Sequence, residues 1–170
     1  DIGSGFGRNI SLYEEFSDDI TCIDPSESCI EYLKENYMVN SHVFKPPELS
    51  FDKKFDVIVA CNSIYYLSKE EDFYNYFKQI INLLTTEGVF IFSLVGKNHS
   101  ILKDAINNGN NCYTLNSKSK IFEARAGIKI IIPNKFDVSQ FNLKLLSGGE
   151  INDNYDGIIR NLKVYMCKRI

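Results

Sequence analysis

Asp1-Ile2-Gly3-Ser4-Gly5-Phe6-Gly7 opens the chain, and Asp24-Pro25-Ser26 closes the next apolar run. Glycines at alternate positions let a backbone turn tightly from a strand into a helix. They also let a ligand approach the main chain where a Cβ would block it. The helix start that follows offers free N–H groups and a positive dipole end, suited to a carboxylate or a phosphate. A dinucleotide-binding GxGxxG would need a third glycine at position 8, which is Arg8. The spacing is GxGxG instead, with an acidic residue two positions before the first glycine. A carboxylate there partners the ammonium of an amino-acid ligand and repels a pyrophosphate. Asp24 ends a strand and faces the same crevice if the sheet is doubly wound. It can accept both hydroxyls of a ribose, or it can cap the helix that Ser26 begins.

Working outward, the chain alternates strands and helices. A short helical stretch covers Asn9 to Phe16. Ile20 to Ile23 reads as a buried strand. The following helix carries Ile30, Leu33 and Tyr37 on one face. His42 to Phe44 suggests a strand ended by Pro46-Pro47, and Phe55 to Ala60 is a buried strand. Lys69 to Leu84 is an amphipathic helix with Phe73, Tyr76, Phe77, Ile80, Ile81 and Leu84 on its apolar face, ended by Gly88. Val89 to Val95 follows as the strongest strand. This alternation implies a parallel sheet wrapped by helices. Downstream, Ser100 to Asn107 reads as helical and Asn108 to Lys120 as a polar loop. The stretch from Gly109 to Lys120 suits either a lid or a solvated loop. Ile128 to Ile132 is strand-like, and Val138 to Phe141 suits one helical turn. Asn142 to Leu146 and Leu162 to Lys168 form an antiparallel hairpin across a Gly- and Asp-rich connection.

The 170 residues suit one domain, 1–170, with 44% hydrophobic residues and a net charge of −3. No basic excess marks a nucleic-acid surface, and no apolar run is long enough to span a membrane. The cysteines, Cys22, Cys29, Cys61, Cys112 and Cys167, are odd in number and without CxxC spacing. They read as reduced thiols of a cytoplasmic protein rather than as disulfides or zinc ligands. Because the chain opens directly on the glycine motif, residues of the first strand and a preceding segment are expected upstream.

DIGSGFGR, TCIDPSESCIEYLKEN, FDVIVACNSIYYL and LLTTEGVFIFSLVG occur in that order between Asp1 and Gly96. Together they resemble the class I S-adenosyl-L-methionine-dependent methyltransferases, in particular the broad methyltransferase-domain group. The resemblance implies an α/β, Rossmann-like doubly wound fold. Its sheet would be mostly parallel and of the seven-stranded type, closed by a C-terminal antiparallel hairpin. It implies S-adenosyl-L-methionine as cofactor, with roles by position. Asp1 would meet the methionine ammonium, directly or through water. Gly3, Ser4 and Gly5 would line methionine and ribose with backbone. Asp24 would bind the ribose hydroxyls, and Pro25 would lie near the adenine. Cys61 and Asn62 would sit close to the methionine and sulfonium.

Two departures stand out. Where the family often carries an adenine-binding Asp, this chain has Phe44-Lys45-Pro46-Pro47, leaving backbone groups and apolar packing for the adenine. Where many members carry His-His after the fourth motif, it has Tyr65-Tyr66. His99, after the strongest strand, is a candidate base, whereas His42 reads as structural. No catalytic residue is assigned. The expected activity is methyl transfer to a small-molecule acceptor. The alternatives are a protein or tRNA substrate, a non-catalytic S-adenosylmethionine-binding protein, and a nicotinamide-dependent oxidoreductase, the last opposed by the GxGxG spacing.

Overall fold

The computed structural model describes residues 1–116, 125–155 and 158–170. After the glycine turn comes α1 (Ile10–Tyr13), a single turn that buries Ile10. Next is β1 (Thr21–Asp24), whose first three residues are buried. α2 (Glu27–Asn36) starts where Ser26 Oγ accepts the Cys29 N–H at 3.4 Å, and it buries Cys29, Ile30 and Leu33. Glu27 in its first turn and Lys34 in its last both suit the helix dipole. The chain returns as β2 (Asn40–Val43), parallel to β1. β3 (Phe55–Ala60) follows, then α3 (Glu70–Asn82), then β4 (Leu84–Val95), parallel to β3.

Ile2 joins the two parallel pairs. It bridges Ile23 in parallel, and its N–H donates to the Val59 carbonyl at 2.8 Å. The chain's opening residues therefore lie between β1 and β3, at the place where strand order reverses and the glycine turn leaves the sheet. Beyond β4 the layout differs from the mostly parallel sheet that the sequence suggests. β5 (Ile106–Gly109), β6 (Cys112–Thr114) and β7 (Lys129–Ile131) form a separate three-stranded antiparallel sheet. β8 (Leu143–Tyr155) and β9 (Ile158–Arg169) form a long hairpin, and β9 runs antiparallel along β4. The molecule is thus α/β and Rossmann-like, but its sheet is mixed.

Several local expectations change. Ser100 to Asn107 is not a helix. One 3-10 turn, Ser100–Leu102, gives way to β5, where β-branched Ile106 pairs opposite Thr114. The polar stretch after Asn107 is not all loop. It folds as a hairpin around Asn110 and Asn111, whose φ of 48° and 59° suit the tight turns that twist with a sheet. Residues 117–120 of the suggested lid lie outside the described residues. The Gly- and Asp-rich connection between the last two strands is itself strand, paired from Ser147–Met166 out to Tyr155–Ile158. α3 ends at Asn82 rather than Leu84, and Gly88 lies within β4 rather than stopping the helix. Leu84 already pairs with Phe55, and the chain makes a short excursion through Glu87 (φ 72°) before Val89 rejoins β3.

The core lies between α3 and β4, with β9 behind. Phe73, Tyr76, Phe77, Ile80 and Ile81, the face read from helical spacing, are all buried. Phe77 sits at the centre, 5.3 Å from Phe90, 5.1 Å from Phe92, 5.0 Å from Phe136 and 4.8 Å from Phe141 by ring centroids. Glu70, Glu71 and Asp72 in the first turn of α3 complement its dipole. No helix among the described residues is long and apolar enough to cross a membrane. Truncating the central ring leaves a cavity that its aromatic neighbours cannot fill. Phe77→Ala should therefore cost about 3–5 kcal/mol of stability in chemical denaturation, at unchanged secondary structure by circular dichroism.

Candidate functional site

The turns leaving Ile2, β1, β3 and β4 converge at the carboxyl ends of the parallel strands, where open α/β sheets bind their ligands. Between them lies a cavity of about 1040 Å³. Gly3, Ser4, Gly5, Asp24, Pro25, Cys61 and Asn62 all line it. Asp1 does not. It borders a neighbouring cavity of about 530 Å³ on the other side of Ile2, and its Oδ2 is buried without a hydrogen-bond partner among the described residues.

Asp24 organises the near end. One carboxylate oxygen accepts the Gly5 N–H at 2.9 Å, and the other accepts the Ser26 N–H at 2.9 Å. The side chain therefore ties the glycine turn to the start of α2, while Ser26 itself caps that helix. A carboxylate has about four acceptor positions, so two bonds leave capacity for a ligand's hydroxyls. Gly3 and Gly5 adopt φ of +74° and +54°, the left-handed region that favours glycine. A Cβ on Gly3 would lie 2.3 Å from Ser63 Cβ, whereas a Cβ on Gly5 would meet no protein atom within 4 Å. Gly3 thus permits close packing, and Gly5 presents bare backbone to the cavity.

Behind β3 the loop is fixed by two serines, Ser63 and Ser93, to which the sequence reading gives no role. The Asn62 N–H donates to Ser93 Oγ at 2.8 Å, holding Asn62 at a φ of 60°. Ser63 Oγ donates to the Ile2 carbonyl at 2.6 Å. Burial pushes the Cys61 thiol up, partly opposed by the Arg8 charge. In place of an adenine carboxylate, Phe44, Lys45 and Pro46 line the cavity, with Phe44 stacked on Tyr76 at 6.0 Å.

The far end is built by distant parts of the chain. Tyr65 and Tyr66 sit with ring centroids 4.7 Å apart, and burial holds the Tyr65 hydroxyl well above its ordinary range. Arg125 Nη1 donates to the Tyr66 hydroxyl at 2.6 Å. Ile158, Arg160 and Leu162 bring β9 to the same wall. His99 follows β4 as the sequence suggests. Its loop is pinned to β9, where the Gly96 N–H donates to the Asn161 carbonyl at 2.7 Å and Asn161 Oδ1 accepts the Asn98 N–H at 3.2 Å. His99 Nδ1 accepts the Ile101 N–H at 3.0 Å. A neutral imidazole so engaged keeps its proton on Nε2, so it donates into its surroundings rather than accepting from them. Burial, then Arg125 and Arg160, hold its pKa below the ordinary 6.5. His42 is exposed on β2, edge to face with Phe51 at 6.0 Å, and does not line the cavity.

A sequence comparison matches the methyltransferase-domain family over residues 1–92, more than half of the chain. The chain belongs to this family of class I S-adenosylmethionine-dependent methyltransferases, and its cofactor is S-adenosylmethionine. No curated protein sequence matches it. Solved structures share its fold. An S-adenosylmethionine-dependent methyltransferase from Methanosarcina mazei superimposes with a TM-score of 0.77 at 13% identity, over 100% of this chain and 91% of that one. The N-methyltransferase NodS from Bradyrhizobium japonicum, in complex with S-adenosylhomocysteine, gives 0.65 at 12% identity, over 99% and 75%. The 1,6-didemethyltoxoflavin N1-methyltransferase of Burkholderia thailandensis, with 1,6-didemethyltoxoflavin and S-adenosylhomocysteine bound, gives 0.69 at 14% identity, over 99% and 69%. The cavity fits the family's cofactor: bare backbone at Gly5, a carboxylate at Asp24, and apolar side chains at Pro25, Phe44 and Pro46.

Two outcomes test this geometry. Gly3→Ala places a side chain in the left-handed region, at about 1–2 kcal/mol, and adds the clash with Ser63. Its thermal unfolding midpoint should fall measurably below that of Gly5→Ala, which meets open space. For His99, a folded-state pKa below 6.5 means that the unfolded chain takes up the proton first. Its contribution therefore lowers stability as pH falls below 6.5. The His99 ring resonance should titrate below that value and move upward in Arg125→Gln.

Proposed function

We propose that the protein transfers a methyl group from S-adenosylmethionine to a small-molecule acceptor. The observation that carries this reading is the Asp24 carboxylate, held beside the glycine turn by Gly5 and Ser26 at the mouth of one cavity. In this reading Gly3, Ser4 and Gly5 receive methionine and ribose with backbone groups. Asp24 accepts from the ribose hydroxyls, and Pro25 with Phe44 and Pro46 packs on the adenine. Cys61 and Asn62 stand by the methionine. Asp1, behind the turn, favours the ammonium through its charge rather than by lining the cavity.

The cofactor supplies an activated methyl on a sulfonium, which leaves as a neutral thioether once an acceptor lone pair bonds to the methyl carbon. The protein's share is positioning, worth several orders of magnitude when reacting atoms are aligned, and exclusion of water. Tyr65, Tyr66, Ile101 and Leu162 give the acceptor end apolar walls. No covalent intermediate on the protein is required. His99, with Nδ1 already accepting a backbone N–H, orients an acceptor as a donor rather than taking its proton. The five unpaired cysteines fit a reducing, cytoplasmic setting.

Calorimetric titration with S-adenosylmethionine, and in parallel with NADH, tests the reading. Micromolar binding of the first and none of the second is expected. Asp24→Ala removes charge-assisted hydrogen bonds and the tether on Gly5, so affinity should fall about a hundredfold or more. Binding of S-adenosylmethionine with no turnover on any acceptor would favour a non-catalytic binding protein. No binding at all would overturn the proposal.

A further inference from the structure

Charge is distributed unevenly over the cavity. The whole chain carries −3, yet among the described residues the lining holds Arg8, Lys45, Arg125 and Arg160 against the single carboxylate of Asp24. Asp24, Arg8 and Lys45 belong to the cofactor end. Two guanidinium groups remain at the far end, where Tyr65, Tyr66, Ile101, Ile128, Ile158 and Leu162 otherwise make an apolar wall. Arg160 is paired with Asp153, which itself does not line the cavity. Arg125 donates to the neutral Tyr66 hydroxyl and makes no ion pair among the described residues. Two such forks at the end of an apolar chamber match a planar or tetrahedral anion on an apolar body, which guanidinium groups bind in bidentate fashion.

Resting on the methyltransferase reading, we infer that the acceptor is an anionic small molecule. Its carboxylate or phosphate is held by Arg125 and Arg160, and its apolar body lies along Tyr65 and Tyr66. The anion is a handle rather than the reacting atom, because a carboxylate fully engaged by guanidinium groups has its lone pairs occupied. The positive field at this end is already felt by His99, which both arginines act on.

Benzoate and phenyl phosphate, with benzamide and benzyl alcohol as neutral counterparts, provide the test. Each is titrated calorimetrically into the full chain, with and without S-adenosylhomocysteine. The expected result is that an anion binds and the neutral counterparts do not. Binding should weaken about tenfold or more in Arg125→Gln and in Arg160→Gln, a loss typical of a charge-assisted pair. Both side chains are exposed, so the variants should fold, and unchanged melting midpoints would verify it. Binding should stay within about twofold in Arg8→Gln and Lys45→Gln, at the cofactor end. Preference for benzoate or for phenyl phosphate separates a carboxylate acceptor from a phosphorylated one. His99 gives an independent readout, because only two histidines exist and His42 is remote. Its pKa should rise when the anion binds. Equal binding of benzoate and benzamide, anion binding that follows Arg8 or Lys45, or no anion binding would each overturn the inference. So would a short single-stranded RNA that binds through these arginines when neither anion does. If S-adenosylhomocysteine binds and the anions do not, only this inference fails. If the anions bind through Arg125 and the cofactor does not, the methyltransferase reading fails and the anion site stands.

Discussion

The Asp24 carboxylate is the constraint on which the site depends. One oxygen holds Gly5 and the other holds Ser26, so a single side chain fixes the glycine turn relative to β1 and α2. The turn could not hold its left-handed residues against the sheet without partners for its N–H groups. Ser63 closes the arrangement from the loop after β3 through the Ile2 carbonyl, and its Cβ occupies the space that Gly3 leaves. The carboxylate that lines the cavity is therefore the same one that fixes the backbone around it.

The first half of the fold was legible because its signals are local. Glycine spacing, an acidic strand end, alternating apolar runs and the face of α3 are each written within a few residues. The sequence offered cap and ligand as alternative jobs for Asp24. The structure gives Ser26 the cap and leaves Asp24 bonded to two backbone N–H groups with acceptor capacity to spare. In the second half, pairing is non-local and the signals mislead. Asn108 to Asn111 looks like loop because Asn and Gly favour turns, yet two consecutive left-handed asparagines serve a hairpin. Ser147 to Tyr155 looks like part of a connection because it is rich in Gly and Asp, yet β9 pairs opposite each of these residues. Long-range pairing overrides weak strand propensity there.

The same division governs the cavity. Gly3, Ser4, Gly5, Asp24, Pro25, Cys61 and Asn62 came from motifs and meet in space. Arg125, Ile158, Arg160 and Leu162 had no motif to mark them. They reach the cavity only because β7 and the β8–β9 hairpin fold back toward β4. Ser93 is a third kind of omission. It is a buried strand residue whose hydroxyl sets the backbone of Asn62 from the neighbouring strand, a contact visible only once register is known.

The boundary between these halves of the cavity is also a boundary along the chain. The glycine turn, Asp24, Cys61 and Asn62 precede Val95, and most of the opposite wall follows it. The family match ends at residue 92, close to the same point. Gly96 and Asn161 form the seam: a Cβ on Gly96 would fall 1.7 Å from Asn161 Oδ1, so the two segments fit without slack. A chain built on this plan can exchange its C-terminal hairpins, and with them most of that wall, while leaving the glycine turn and Asp24 untouched. Grafting residues 96–170 from one such chain onto another is the corresponding protein-engineering unit, because the glycine and asparagine at the seam then travel as a pair.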